Sequence, residues 1–392
     1  MHMKNRPSIF EIGEEACNGC FLCADVCSRK AIELRLDNDG FYKPIVNPEL
    51  CNGCGLCAKM CPVCAGEATV IKKNTPDVYA GWSLDYGIRL KSSSGGLFYE
   101  VAKAFIDAGG AVCGVKWDSG IPKFDIAHTV DEMCAFMGSK YLQADASDIY
   151  ARARQLIRSG KKVLFVGVPC QVQAISNYIK SDLLYTIDLV CAGVPSMKMY
   201  RKYCQEYLPG ETVTKVNFRV KNLDDDSRPL STWRGYALEF YSNDRLLLSQ
   251  IQNRNPFFVA FNSAKCYNTS CYSCRFNTLP RRGNMTLCDY WGAEGDLDCE
   301  KGTSLLLVND TQGDGFVEEY IQGRGKLYLR RITDKTPYKG TPRIDMEGRT
   351  MPGERKRIFE SLEKEGFKGI ERFFVPSFFR KVMNVIKSVL LK

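Results

Sequence analysis

Between residues 92 and 210 the apolar positions alternate between two periods. Leu97, Val101, Ala104, Phe105 and Ala108 recur at helical spacing, which predicts an amphipathic helix over 97–108. Residues 111–117 read as a strand. Ser147 or Asp148 is placed to cap a helix that runs through Ile157 and stops at Ser159-Gly160. Residues 163–168 form a short apolar run of the buried-strand type, 171–179 a helix, 185–190 a strand and 196–208 a helix. This succession predicts an α/β unit, a sheet flanked by helices. Past residue 211 the pattern shifts toward strands (213–220 and 237–241), then to an irregular stretch rich in cysteine. From Met351 onward the chain reads as helical and basic.

Ahead of this region one cysteine pattern occurs twice, 34 residues apart. The first copy is Cys17-Asn-Gly-Cys20-Phe-Leu-Cys23-Ala-Asp-Val-Cys27 and the second Cys51-Asn-Gly-Cys54-Gly-Leu-Cys57-Ala-Lys-Met-Cys61-Pro62. Three cysteines two residues apart let a tight loop wrap one 4Fe–4S cubane, and the fourth reaches across to the other cluster. The register assigns Cys17, Cys20, Cys23 and Cys61 to one cluster, and Cys51, Cys54, Cys57 and Cys27 to the second. Ser28 stands where proline usually follows the fourth cysteine, a departure that removes no ligand. Structural zinc uses paired knuckles without this register. Cys57, Cys61 and Cys64 also form a CxxxCxxC run, but two of them are already used, so Cys64 reads as a bystander.

Composition narrows the setting. The 392 residues leave room for a ferredoxin-sized unit and further domains, and 45% hydrophobic with 25% charged residues is ordinary for a globular chain. No apolar run approaches the about 20 residues of a membrane span. The opening Met-His-Met-Lys-Asn-Arg-Pro lacks the apolar stretch of a secretory signal. Nineteen cysteines in that context point to metal ligation in a reducing cytoplasm, not to disulfides. Two histidines supply few histidine-based sites. Residues 1–70 carry a net charge of −2, which leaves +11 on the remainder. A basic body suits an acidic redox partner. Nucleic acid is the other class of partner, and no interleaved aromatic–basic motif supports it.

Two further features carry chemistry. Residues 92–96, Ser-Ser-Ser-Gly-Gly, precede the helix at 97, where unpaired N–H groups and small side chains suit an anion; plain loop and cap roles are the simpler alternative. Cys170 and Cys191 follow two strands and precede two helices, so both fall on the carboxyl edge of the sheet, where open α/β folds bind ligands. Farther on, Cys266-Tyr-Asn-Thr-Ser-Cys271-Tyr-Ser-Cys274 resembles part of a cluster loop. Cys170, Cys191, Cys271 and Cys274 together could hold a third 4Fe–4S cluster, with Cys266 competing for the place of Cys191. Cys113, Cys134, Cys204, Cys288 and Cys299 read as ordinary buried thiols.

The ordered set of motifs resembles the coenzyme F-420 hydrogenase/dehydrogenase beta-subunit family, in its bacterial form with a fused N-terminal two-cluster ferredoxin domain. The elements are the duplicated cluster motif, residues 92–96, Gly138-Ser139-Lys140-Tyr141, Gly167-Val-Pro169-Cys170-Gln171, Cys191-Ala-Gly-Val-Pro195-Ser196, Cys271-Tyr-Ser-Cys274 and Asp289-Tyr-Trp291-Gly292. The resemblance covers about residues 15–300. It implies FAD in the α/β domain, a cluster nearby, and electron exchange between them, with a deazaflavin or a small organic molecule as the two-electron substrate. Ser93, Ser94, Gly95 and Gly96 would contact phosphate or ring edge, Lys140 would offer positive charge, and Gln171 and Trp291 would neighbour the flavin ring. Ala192 and Cys288 depart from the residues usual at those positions, histidine and glycine.

The expected fold is therefore an α+β two-cluster ferredoxin domain fused to a larger α/β flavin-binding domain with a mixed sheet. The expected divisions are 1–75, a linker-like start at 72–77, then 76–160, 161–340 and a basic helical tail over 341–392. Phe378, Phe379, Val382, Val385, Ile386, Val389 and Leu390 share one helical face, which suits docking on protein or, alternatively, peripheral contact with an anionic membrane. The expected activity is oxidoreduction, with a ferredoxin or a partner oxidoreductase subunit as redox partner. The alternative is an electron-transfer subunit that serves a partner enzyme without substrate chemistry of its own.

Overall fold

A computed structural model describes residues 15–65, 72–228, 230–297, 300–323, 326–333 and 349–374, with positions 9, 12, 13, 338, 341 and 343–345 between and before them. The apolar face at 378–390 and Cys299 lie outside the described residues.

The duplicated motif folds as two short helices, α1 (Leu22–Val26) and α2 (Leu56–Met60), beside a hairpin of β1 (Ile32–Leu36) and β2 (Tyr42–Val46). Each helix is entered through a left-handed residue. In the second repeat this is Gly55 (φ 73°), which adopts it freely; in the first it is Phe21, also at φ 73°. Phe21 is held there by burial, with its ring edge-on to Tyr42 at 4.9 Å.

The larger body is built on an eight-stranded mixed sheet. Its strands are β3 (Asp77–Ser83), β4 (Ala111–Asp118), β5 (Ile121–Ala127), β6 (Val163–Gly167), β7 (Leu184–Leu189), β11 (Met285–Asp289), β12 (Ser304–Val308) and β13 (Leu327–Ile332). They are ordered β13-β3-β12-β11-β7-β6-β4-β5. The four central strands, β11, β7, β6 and β4, run parallel, and antiparallel pairs extend the sheet on both sides. β6 is buried at every position, as its uninterrupted apolar run requires of a strand covered on both faces. β3 begins inside the stretch that reads as a linker. Gly81 lets it lie between β12 and β13: a Cβ there would meet the Tyr328 carbonyl at 2.4 Å.

Five helices lie against this sheet, α3 (Tyr86–Lys91), α4 (Leu97–Asp107), α5 (Val130–Cys134), α6 (Ile149–Arg158) and α7 (Pro169–Tyr178), and β7 is followed by α8 (Met197–Tyr207). Phe105 of α4 packs with Leu164, Ile187, Met285 and Phe316 on one side of the sheet. On the other, Tyr150 of α6 and Val172 of α7 pack with Phe165 and with Phe21, Leu22 and Val26 of the ferredoxin unit. Asp148, expected as a possible cap of α6, is itself left-handed and makes no side-chain cap. The cap comes instead from Asp25 in α1, whose carboxylate accepts the N–H groups of Asp148, Tyr150 and Ala151.

A second, three-stranded sheet of β8 (Lys215–Val220), β9 (Ala237–Ser242) and β10 (Arg245–Ile251) packs with α8, α9 (Pro256–Asn262) and the C-terminal α11 (Arg355–Ile370). Tyr203, Phe240, Phe257 and Phe367 form an aromatic cluster at its centre. Thus α11, part of the expected basic tail, buries Ile358, Phe359 and Leu362 in the body of the protein. The remaining helix, α10 (Thr311–Phe316), follows β12. Among the described residues no helix is long and apolar enough to cross a membrane.

Candidate functional site

A cavity of about 630 Å³ opens along the carboxyl edge of the parallel strands. Gly114 of β4, Gly167 at the end of β6, Leu189–Val194 from the end of β7 onward and Leu287–Asp289 of β11 form one wall. Ser92, Ser93, Ser94 and Gly96, at the start of α4, close one end with Gly138, Ser139 and Lys140. Gln171 and Trp291 also line it. Gly95 does not: its N–H donates to Ser304 Oγ at 2.9 Å, and a Cβ there would meet the Gly81 carbonyl at 2.6 Å. Gly95 therefore serves sheet contact, not the cavity.

The hydroxyls have separate duties. Ser92 Oγ donates to the Ile88 carbonyl and Ser94 Oγ to that of Thr303, which ties the loop to its scaffold. Ser93 Oγ accepts from the Ser139 N–H at 2.9 Å, which joins the two loops that close the cavity. Gln171 Oε1 accepts the Val168 N–H, so the carboxamide oxygen caps α7. Lys140 Nζ donates to the carbonyls of Phe136 and Met137 at 3.0 and 2.9 Å, the open end of α5. Burial, with Lys215 adding repulsion, pulls its pKa down to about 7.

Sequence reading missed the arginines. Arg219 pairs with Asp289, donates to the Trp233 carbonyl, and lies against Tyr236 with its guanidinium 4.5 Å from the ring centroid. Among the described residues its Nε is buried without a partner, as is Thr341 Oγ1, and both residues line the cavity. Arg343 and Arg349 line it as well. Among the described lining residues, four bases against one acid, Asp289, make the wall strongly cationic. No short motif announces such a set, since its members lie on β8, β11 and the segment before α11.

The cysteines fall into distinct groups. A second, smaller cavity is lined by Cys17, Cys20, Cys23 and Cys61. Cys170, Cys191, Cys271 and Cys274 all line the large cavity, and their thiolates would repel one another. Burial first, then Cys274 among neighbouring thiols, pushes Cys191 up to about 11; burial and Cys191 push Cys271 up to about 12. Such a set asks for a cation to hold it ionised. Among the described residues no three candidate ligands converge as a single ion needs; a cubane instead holds four thiolates at the corners of a cage. Cys266 is fully buried beside Arg355 and Lys265 and is absent from the cavity wall, so the structure separates it from the other three. Gly193 permits the turn that carries Cys191: at φ 117° a Cβ would meet the Tyr267 ring at 2.4 Å.

Cys20 belongs to both cavities. Around it the two bodies interlock. Tyr150 Oη donates to the Cys20 carbonyl at 2.7 Å, Gln143 Nε2 to the Asn18 carbonyl, and Gln143 Oε1 accepts from Tyr42 N–H. Cys54, in contrast, is exposed, and Leu50 and Leu56 beside it are exposed apolar residues. Of the thiols read as bystanders, Cys113 is core, Cys134 and Cys64 are exposed, Cys204 is half-buried, and Cys288 stands on the wall of the large cavity.

A buried network sets the loop that carries Cys271 and Cys274. Asp188 at the end of β7 accepts from Arg281 Nη2 at 2.8 Å and from the N–H groups of Arg282 and Gly283, with both side chains of the pair inaccessible. Arg281 Nη1 in turn donates to Asn277 Oδ1, and Asn277 Nδ2 to the Cys191 carbonyl at 2.8 Å.

Residues 160–335 match the family described as the C-terminal part of the coenzyme F420 hydrogenase/dehydrogenase beta subunit, and residues 16–65 match the 4Fe-4S dicluster domain. No curated protein matches the chain. Among solved structures, a chain of the F420-reducing [NiFe] hydrogenase complex from Methanosarcina barkeri is similar at 14% identity and a TM-score of 0.47. The match covers 76% of this chain and 96% of that one.

Proposed function

The chain belongs to the coenzyme F420 hydrogenase/dehydrogenase beta-subunit family and carries a 4Fe–4S dicluster domain; from that premise we propose that it is an iron–sulfur flavoprotein oxidoreductase. The inner ferredoxin site is Cys17, Cys20, Cys23 and Cys61, and the outer one Cys27, Cys51, Cys54 and Cys57. A third cluster is held by Cys170, Cys191, Cys271 and Cys274. FAD occupies the large cavity. The volume and the cationic wall suit its length and its pyrophosphate, and the unpartnered Arg219 Nε and Thr341 Oγ1 await acceptor or donor atoms.

When bound, FAD supplies the conversion between single electrons and the hydride of a small organic substrate or deazaflavin-like coenzyme. The protein's own residues do the rest. Ser93 and Ser139 hold the entrance loops together, while Lys140 and Arg219 offer charge to the anionic parts of the ligand. Trp291, tilted against Trp233 with ring centroids 4.8 Å apart, presents an apolar wall. Asp289 keeps the Arg219 guanidinium oriented. The exposed edge at Cys54 is where electrons enter from, or leave to, a ferredoxin-like carrier or partner subunit.

The observation that carries this reading is Cys20, which lines both the ferredoxin cavity and the large one. The test is the cofactor content of anaerobically purified protein. The reading expects about twelve irons per chain, four for each of three cubanes, and one releasable FAD. Protein that lacks flavin contradicts it. The second reading, an electron-transfer subunit without substrate chemistry, draws on the apolar Leu50 and Leu56 flanking the outer site, a landing surface for a partner. It expects turnover only with that partner present.

A further inference from the structure

Lys43 is 7% exposed, on β2, at the seam between the ferredoxin unit and the larger body. Its Nζ donates to the Cys17 carbonyl at 3.0 Å and to Asn268 Oδ1 at 3.0 Å. Asn268 Nδ2 donates to the same Cys17 carbonyl at 3.3 Å. The Asn268 carbonyl accepts the Cys271 N–H at 2.9 Å, and the Asn268 N–H donates to the carbonyl of Val194, close to Cys191. One buried ammonium thus bonds the backbone of the first cysteine site directly and reaches that of the second through one residue, Asn268.

We propose that Lys43 is a positioning residue of the electron relay, whose fixed charge raises the reduction potentials of the inner ferredoxin site and the third site together. The proposal rests on the reading of Cys170, Cys191, Cys271 and Cys274 as a cluster site. Reduction adds one negative charge to a cluster, and a buried cation stabilises that charge far more than a hydrated one does. A single cation between two sites stabilises both reduced forms, so neither becomes a trap. In the transfer one electron leaves the inner site, which is oxidised, and enters the third, which is reduced; no bond breaks and no proton moves. Asn268 adds a route of hydrogen bonds between the Cys17 and Cys271 backbones. It also holds the two segments in register, with Thr269 Oγ1 donating to the Glu15 carbonyl at 3.1 Å.

The experiment is EPR-monitored redox titration of the anaerobically purified full chain, with iron content measured in parallel. Lys43→Gln should lower the midpoints of the inner and third sites, and lower them more than that of the outer site. Lys43→Arg should keep all three near the wild-type values. Asn268→Asp places a carboxylate against Lys43 without removing it, and should lower the same two midpoints if Lys43→Gln fails to load iron. Unchanged midpoints in an iron-replete Lys43→Gln or Asn268→Asp protein overturn the proposal, as does an equal shift at all sites. Wild-type protein with about eight irons (two cubanes) would refute the third site. The inner-site midpoint would then still test Lys43.

Discussion

The carboxylate of Asp25 accepts the backbone N–H of Tyr150 at 3.0 Å, so a residue of the first cluster loop caps a helix of the larger body. Asp25 also takes the N–H groups of Asp148 and Ala151, at the positive end of α6. Asp25→Ala should cost about 0.5–2 kcal/mol, the usual range for a lost N-cap. The expected outcome is a lower Tm for the anaerobic protein and faster proteolysis near residue 148. An unchanged Tm would mean that water replaces the carboxylate at no cost.

Cys266 and Cys271 differ by five positions and by their surroundings. Cys271→Ala or Cys274→Ala should lower iron by about four per chain, the content of one cubane, with the ferredoxin sites intact. Cys266→Ala should leave iron unchanged, because its thiol lies in the core, away from the cavity. The reverse pattern would make Cys266 the ligand.

Lys140 should give ligand binding a pH dependence. With its pKa pulled down to about 7 by burial and Lys215, the free protein loses this charge as pH rises past neutrality. An anion bound beside it restores the charge and takes up a proton. Affinity of the flavin-free protein for FAD should therefore fall as pH rises above 7, by at most about tenfold per unit for one proton. Lys140→Met should bind more weakly and lose that slope, as read by quenching of flavin fluorescence. The sign for stability of the unliganded protein is opposite. Between about pH 7 and the ordinary lysine value the unfolded chain binds more protons, so stability rises with pH.

Arg281→Met would leave Asp188 buried without its cation. Breaking such a pair costs about 3–5 kcal/mol. Asn277 Oδ1 would lose its donor too, which loosens the carboxamide whose Nδ2 steadies the Cys191 carbonyl. A lower denaturation midpoint together with iron loss confined to the third site is expected. Replacing both residues with apolar ones of similar size should recover much of the stability.

The sequence made seven elements between 97 and 207 legible within a residue or two, because their apolar periods are local, but not β5 and α5 in the same stretch. It missed β3, β12 and β13, whose pairing joins positions far apart, such as Leu305 with Ala80 and Leu329 with Gly81. The ferredoxin cysteines were legible because cluster loops have local spacing. The neighbourhood of Cys170 with Cys271 and Cys274 depends on the sheet edge, and only the fold separates Cys191 from Cys266. Nothing local marked Arg219, since its partner Asp289 lies seventy residues away on another sheet. Nothing local singles out Asp25, whose capping role depends on a helix more than a hundred residues away.

The central claim is that electrons reach the flavin of the large cavity from the ferredoxin sites through the cysteines of its wall. The most direct measurement is anaerobic stopped-flow of flavin bleaching after mixing with reduced ferredoxin, in wild type and in Cys271→Ala that retains FAD. Rapid bleaching in the wild type and a large loss of rate in the variant are predicted. Equal rates in the two proteins would contradict the relay.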